Sequence, residues 1–301
     1  MTLEDASTIV IHRNAALGDV IWVTPLLTHI RARNKTAKIV ASTIYPDVFT
    51  GNPYVDEICI NGYQDQYNDS NSFIINLDGS YEGNRLVHMV DAYKMTAGLA
   101  DDMSDPSLYL TDGGLYDAAA SDRGYRCKTS VCIHMAATSP DRIISEDVWR
   151  EVISTIINKT DYGVVVVGAN SDYGDMDWGK QYYKSRYMSF VGKSNIKQTA
   201  GIIGKCSAFI GVDSGMSHVA FAMRIPSVVV YSMVSPEYRM PRKTRCVPVV
   251  ADKESIRCLF CVDGMNANSA PLCGRSANKS ECITSITSSD ILKALDKLLK
   301  G

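Results

Sequence analysis

Runs of apolar, largely β-branched residues alternate along the chain with stretches whose apolar positions recur at helical spacing. Residues 7–12 (STIVIH) read as a buried strand, NAALGD (14–19) as a turn, and 20–33 as a helix with Val20, Val23, Leu26, Leu27 and Ile30 on one face. Strands follow at 38–43, 57–61 and 72–77, then a helix at 84–99. Residues 111–128 are rich in Gly, Asp, Ala and Ser without apolar period and read as a linker. The pattern then restarts, with strands at 131–136, 163–168, 208–213 and 227–232, and helices at 146–158, 196–206 and 289–300. Strands separated by helix-length segments predict parallel sheets with crossover helices. The expectation is an α/β chain of two doubly wound halves, 1–124 and 125–301, with a ligand at the carboxyl ends of the strands between them.

Composition adds exclusions. With 46% apolar and 21% charged residues in 301, the chain is of ordinary globular type. A net charge of −2 argues against a nucleic-acid partner, yet it hides an asymmetry. Residues 1–124 carry 8 Lys plus Arg against 17 Asp plus Glu, net −9, and the remainder carries 23 against 16, net +7. No apolar run reaches the roughly 18 to 20 residues that span a bilayer, and the acidic start MTLEDAST is no signal peptide. The expected compartment is the cytosol, with at most peripheral membrane contact.

Four groups of residues could carry chemistry. Asp19, after Gly18 at a strand-to-helix turn, is either a helix cap or a general base facing the cleft. In Gly211-Val212-Asp213-Ser214-Gly215-Met216-Ser217-His218 a second strand-to-helix turn offers the Ser214, Gly215 and Met216 amides to an anion, with His218 one turn on. Asp213 or Ser214 could equally cap that helix. Arg142, in the loop after strand 131–136, would grip phosphate if it lay beside those amides. Cys258, Cys261, Cys273 and Cys282, four of nine cysteines, form a reasonable four-thiolate set for zinc or iron, with disulfides or plain thiols as the alternative. His12, His29, His88 and His134 have no partners at metal-ligand spacing and read as structural or surface residues. The segment 173–187, mixing Tyr with basic residues, reads as a solvated amphipathic helix.

Taken together, the segments 16–27 (ALGDVIWVTPLL), 139–149 (SPDRIISEDVW), 190–231 and the cysteine cluster resemble glycosyltransferase family 9, the ADP-heptose heptosyltransferases. The resemblance implies a GT-B fold, two Rossmann-like domains facing a central cleft, with acceptor on the first and nucleotide-sugar on the second. It implies that Asp19 is the base activating an acceptor hydroxyl, that Gly18, Asp213, Ser214, Gly215, Met216 and His218 serve the donor, and that Arg142 stands where the family usually has Lys. The implied reaction is inverting transfer of a sugar, heptose from ADP-heptose above others, to a hydroxyl of a glycan, lipopolysaccharide or protein, without a catalytic metal. The −9 charge ranks a protein or neutral glycan acceptor above a phosphorylated lipid. Some members that glycosylate proteins carry a four-cysteine iron site near the C-terminus, which favours iron over zinc. The loop after Gly168 reads Ala169-Asn170-Ser171-Asp172 where the family often has a second Gly and an acidic residue, so adenine specificity comes from the family alone. The competing readings are a non-catalytic nucleotide-sugar-binding scaffold and a GT-B sugar-nucleotide epimerase. A homo-oligomer is compatible with either.

Overall fold

In the computed structural model, Thr8–His12 (β1) forms the centre of a parallel sheet, because Ile9, Val10 and Ile11 are apolar on both faces and both faces are covered. The structure describes residues 1–14, 16–60, 62–64, 66–67, 70–82, 86–109, 112–122, 125, 127–169, 178–256, 258–263 and 280–300. After β1 come helices Leu17–Ile21 (α1) and Thr24–Arg33 (α2), strands Lys38–Ser42 (β2), Glu57–Cys59 (β3) and Ser72–Asn76 (β4), and helix Met89–Thr96 (α3). Ile9 pairs in register with Ile39 on β2 and with Phe73 on β4, and the sheet order is β3-β2-β1-β4. The chain thus works outward on one side of β1 and returns to its other side at β4. That reversal opens a crevice at the carboxyl ends of β1 and β4.

The continuous helix expected over 20–33 is instead two helices. Pro25 has no N–H to give the Ile21 carbonyl four residues back, and the Thr24 hydroxyl takes that carbonyl at 2.8 Å. The expected linker at 111–128 contains a helix, Gly114–Asp122 (α4). It is held to the second half by Lys205 Nζ on Asp117 Oδ2 at 3.0 Å and by the Asp112 amide on the Lys197 carbonyl at 3.2 Å. Small residues there permit close packing rather than a free tether.

The second half contains β5 (Ser130–His134), α5 (Glu146–Lys159), β6 (Gly163–Val166), α6 (Trp178–Tyr183), β7 (Tyr187–Ser189) and α7 (Ile196–Gly204). It continues through β8 (Ala208–Val212), α8 (Gly215–Ala222), β9 (Ser227–Val230), β10 (Cys246–Val249), α9 (Glu281–Thr284) and α10 (Ser288–Lys300). Its parallel sheet has the order β10-β9-β8-β5-β6-β7, the doubly wound arrangement, with the reversal between β5 and β8. Strands β7 and β10 were not expected. Tyr187, read as part of a solvated helix, is fully buried at the start of β7, and residues 173–177 of that reading lie outside the described residues. In α10, Ile291, Ala294, Leu295 and Leu298 form the buried face against β9, β10 and α5.

One apolar cluster spans the two halves, while the outer face of each sheet packs in a cluster of its own. Trp22, Leu26 and Val23 of the first half lie in the same buried cluster as Val219, Ala220 and Phe221 of α8. Helices α1 and α8 therefore meet at the seam, and their N-termini bring the two crevices to one place.

Candidate active site

A cavity of about 730 Å³ lies at this seam, lined from the first half by Gly18, Asp19, Tyr45 and Tyr81 and from the second by His134, Arg142, Asp213, Ser214, Gly215, Met216, His218 and Arg239. All eight described residues expected to serve as base or donor ligands line it. Of the cysteine candidates, Cys258, Cys261 and Cys282 do not.

Asp19 sits in the first turn of α1 but makes no cap hydrogen bond. Its carboxylate turns instead to Arg13, whose Nη2 donates to Oδ2 at 2.9 Å, and to the Tyr81 hydroxyl at 3.2 Å. Arg13 follows β1, is buried, and is also held by Glu82 at 2.5 Å and by the Leu77 carbonyl at 2.9 Å. Burial pushes the Asp19 pKa above the ordinary carboxylate range, and the opposing pull of Arg13 only partly offsets it. The result is a half-shielded carboxylate of raised basicity at the cavity wall.

Across the cavity, Arg142 ends a single 3₁₀ turn, Pro140–Arg142, after β5. That turn is fixed by the Ser232 hydroxyl on the Asp141 carbonyl at 2.9 Å and by Ser280 on the Asp141 carboxylate. Arg142 Nη1 donates to the Asp213 carbonyl at 2.6 Å and lies 3.7 Å from its carboxylate. Its buried Nε has no partner among the described residues. Sequence could not place Arg142 beside the 214–216 turn; the fold brings it there.

The Ser214 amide is already taken by Ser217 Oγ at 3.2 Å, and the Ser214 hydroxyl lies 3.2 Å from His134 Nδ1. Of the three amides expected to meet an anion, Gly215 and Met216 are thus the first-turn donors left at the cavity wall. His134, read from sequence as incidental, belongs to the site.

His218 is fixed by Trp22, whose indole N–H donates to Nδ1 at 2.9 Å. Since indole only donates, Nδ1 must accept, and the ring proton of the neutral form sits on Nε2. Burial first, then Arg239, Arg142 and His88, push the His218 pKa down to about 4, Asp213 opposing. The Asp213 carboxylate stands 3.8 Å from Nε2, beyond hydrogen-bond reach, so a neutral donor N–H is left for a ligand. Gly18 makes this possible: a Cβ there would come 2.3 Å from His218 Cδ2. Gly18 thereby serves the close approach of α1 to α8.

Sequence reading missed Arg13, Trp22, Tyr81 and Arg239. A charged residue directly after the apolar run of β1 was the available signal for Arg13; Trp22 lies within the expected 20–33 helix, where an apolar residue reads as core, and Tyr81 and Arg239 stand in segments with no local pattern.

The cysteines behave differently. Cys258 is exposed, Cys261 half-buried and Cys282 buried in α9, and Cys273 lies outside the described residues. Among the described residues no three His, Cys, Asp or Glu side chains gather to hold a metal ion, so these three thiols do not by themselves fit one.

Two doubly wound sheets opening their crevices toward a shared cavity define a GT-B α/β protein. Residues 57–264 match the model of glycosyltransferase family 9 (heptosyltransferase), and the chain belongs to that family. Asp19 precedes the matched segment. A glycosyltransferase family 9 structure from Veillonella parvula superposes with a TM-score of 0.77 at 17% identity, covering 99% of this chain and 98% of that one. The iron-containing dodecameric glycosyltransferase TibC from enterotoxigenic Escherichia coli gives 0.75 at 17% identity, covering 100% and 78%, and has also been solved with ADP-D-beta-D-heptose. In sequence, Lipooligosaccharide heptosyltransferase 2 of Haemophilus influenzae is 33% identical over 54 residues, 18% of this chain and 16% of that protein. The curated relatives are matched over 16 to 33% of their own lengths. No described helix is long and apolar enough to cross a membrane.

Proposed function

We propose that the chain is an inverting glycosyltransferase that moves a sugar, heptose from an ADP-linked donor above others, to an acceptor hydroxyl. The observation that carries this is the meeting, in one cavity, of a carboxylate from the first half with arginine, histidine and first-turn amide donors from the second. In the proposed step the acceptor oxygen attacks the anomeric carbon from the face opposite the diphosphate. The bond from that carbon to the diphosphate oxygen breaks, the hydroxyl proton passes to Asp19, and the nucleoside diphosphate leaves with the bond pair. Arg142, the Gly215 and Met216 amides and the His218 Nε2–H stabilise the charge that gathers on the leaving group. These are protein donors, so the step as written draws on no metal.

Acceptor class follows from charge: a net −9 over residues 1–124 disfavours a heavily phosphorylated lipid core and favours a protein or neutral glycan hydroxyl. An iron or zinc ion on Cys258, Cys261, Cys273 and Cys282 is a separate proposal. Cysteine spacing and the iron in TibC support it, the described geometry does not, and it takes no part in transfer.

Incubation with ADP-heptose, following ADP release with protein, neutral glycan and phosphorylated lipid acceptors, tests the reading. Acceptor-dependent release, abolished by Asp19→Ala with ADP binding retained, is expected. Near-normal turnover of Asp19→Ala refutes the base assignment, and preferred transfer to the phosphorylated lipid overturns the acceptor ranking.

A further inference from the structure

Arg239 reaches the cavity from the loop between β9 and β10. It is 93% buried, with 7% of its surface exposed, and no carboxylate among the described residues pairs with it. Among the described residues its one side-chain hydrogen bond is to the neighbouring Tyr238 carbonyl at 3.3 Å. The guanidinium lies 4.5 Å from the centre of the Tyr81 ring, whose hydroxyl is on Asp19. A buried arginine ordinarily has an anionic partner, because desolvating its charge alone is costly.

Its placement is not accidental. The following segment, 240–244, is tied to the first half at three points. His88 accepts the Val90 amide on Nδ1, so its proton sits on Nε2, which donates to the Met240 carbonyl at 2.8 Å. Asp105 accepts the backbone amides of Arg242 at 2.6 Å, Lys243 at 3.0 Å and Thr244 at 2.6 Å, and Arg242 pairs with Asp91. This strap holds Arg239 where its field reaches both Asp19 and His218.

We propose that Arg239 is a further ligand of the leaving group, binding the diphosphate of the donor together with Arg142. The inference rests on the nucleoside-diphosphate reading above. It takes the unpaired cation as one whose partner arrives with substrate, and it makes the strap the device that presents that cation beside the base.

The test titrates the full chain and its Arg239→Gln and Arg239→Lys variants with ADP by calorimetry and with adenosine, which lacks phosphate, by NMR. The expected result is a loss of ADP affinity of about ten- to hundredfold in Arg239→Gln, the size of a charge-assisted contact, with adenosine affinity held. Arg239→Lys recovers part of the loss and serves as the readout should the Gln variant not fold. A change in the ADP-to-adenosine affinity ratio of less than fivefold, including equal losses for both, marks Arg239 as structural and overturns the proposal. Absence of ADP binding by the parent chain refutes the underlying reading instead.

Discussion

At Asp19, burial and a neighbouring cation compete over one carboxylate, and burial wins. A raised folded-state pKa means the folded chain takes up this proton more readily than the unfolded chain does. The ionised form therefore costs stability at neutral pH, and the cost disappears as pH falls through the raised value. Asp19→Asn is expected to melt at a higher temperature than the parent at pH 7, with the difference shrinking under acid conditions, while transfer is lost. A lower Tm at pH 7 would instead make the Arg13 pair structural. For the parent, the acid limb of kcat/KM should lie above the ordinary carboxylate range, since Asp19 must be ionised to accept a proton. Asp19, Arg142 and His218 were legible as candidates because each stands just beyond an apolar strand, where open α/β sheets expose reactive groups. Tyr81 and Arg239 were not, because their neighbours in space are distant in sequence and no local pattern announces them.

Between elements, the decisive contact is α1 on α8. Gly18 lets His218 lie against the helix backbone and Trp22 fixes its tautomer, so one helix sets the protonation pattern of the other. Gly18→Ala must displace His218, and overpacking of this kind costs about 1 to 3 kcal/mol. The expected outcome is a lowered Tm and a larger loss of ADP affinity than of adenosine affinity. Wild-type ADP binding by Gly18→Ala would show that His218 is not held by this contact. Strands long enough to show β-branched runs on both faces, such as β1, β5 and β8, were readable. Strand β7 has three residues and β10 contains Pro248, tolerated because β10 is an edge strand, so neither has a run that stands out. The helix break at Pro25 was readable in principle, since the missing N–H is a local property.

For the molecule as a whole, the order of strands matters more than their number. Each sheet reverses direction once, the reversals face one cavity, and acidic and basic halves meet there. Metal analysis of anaerobically purified protein tests the one feature outside this scheme: one iron or zinc ion per chain is expected from the cysteine spacing, and absence of both returns the four thiols to ordinary cysteines. Sequence alone determined the alternation of strands and helices, the opposite charges of the halves and the two strand-to-helix turns, because hydrophobic period, charge and turn chemistry are local quantities. Only the tertiary structure decided that Asp19 is no cap, that Arg142 reaches Asp213, that Gly114–Asp122 within the expected linker packs as a helix, and that Arg239, with no carboxylate partner among the described residues, stands beside the base. Each of those depends on contacts between residues tens to hundreds of positions apart, which packing of the two halves creates and no window of sequence contains.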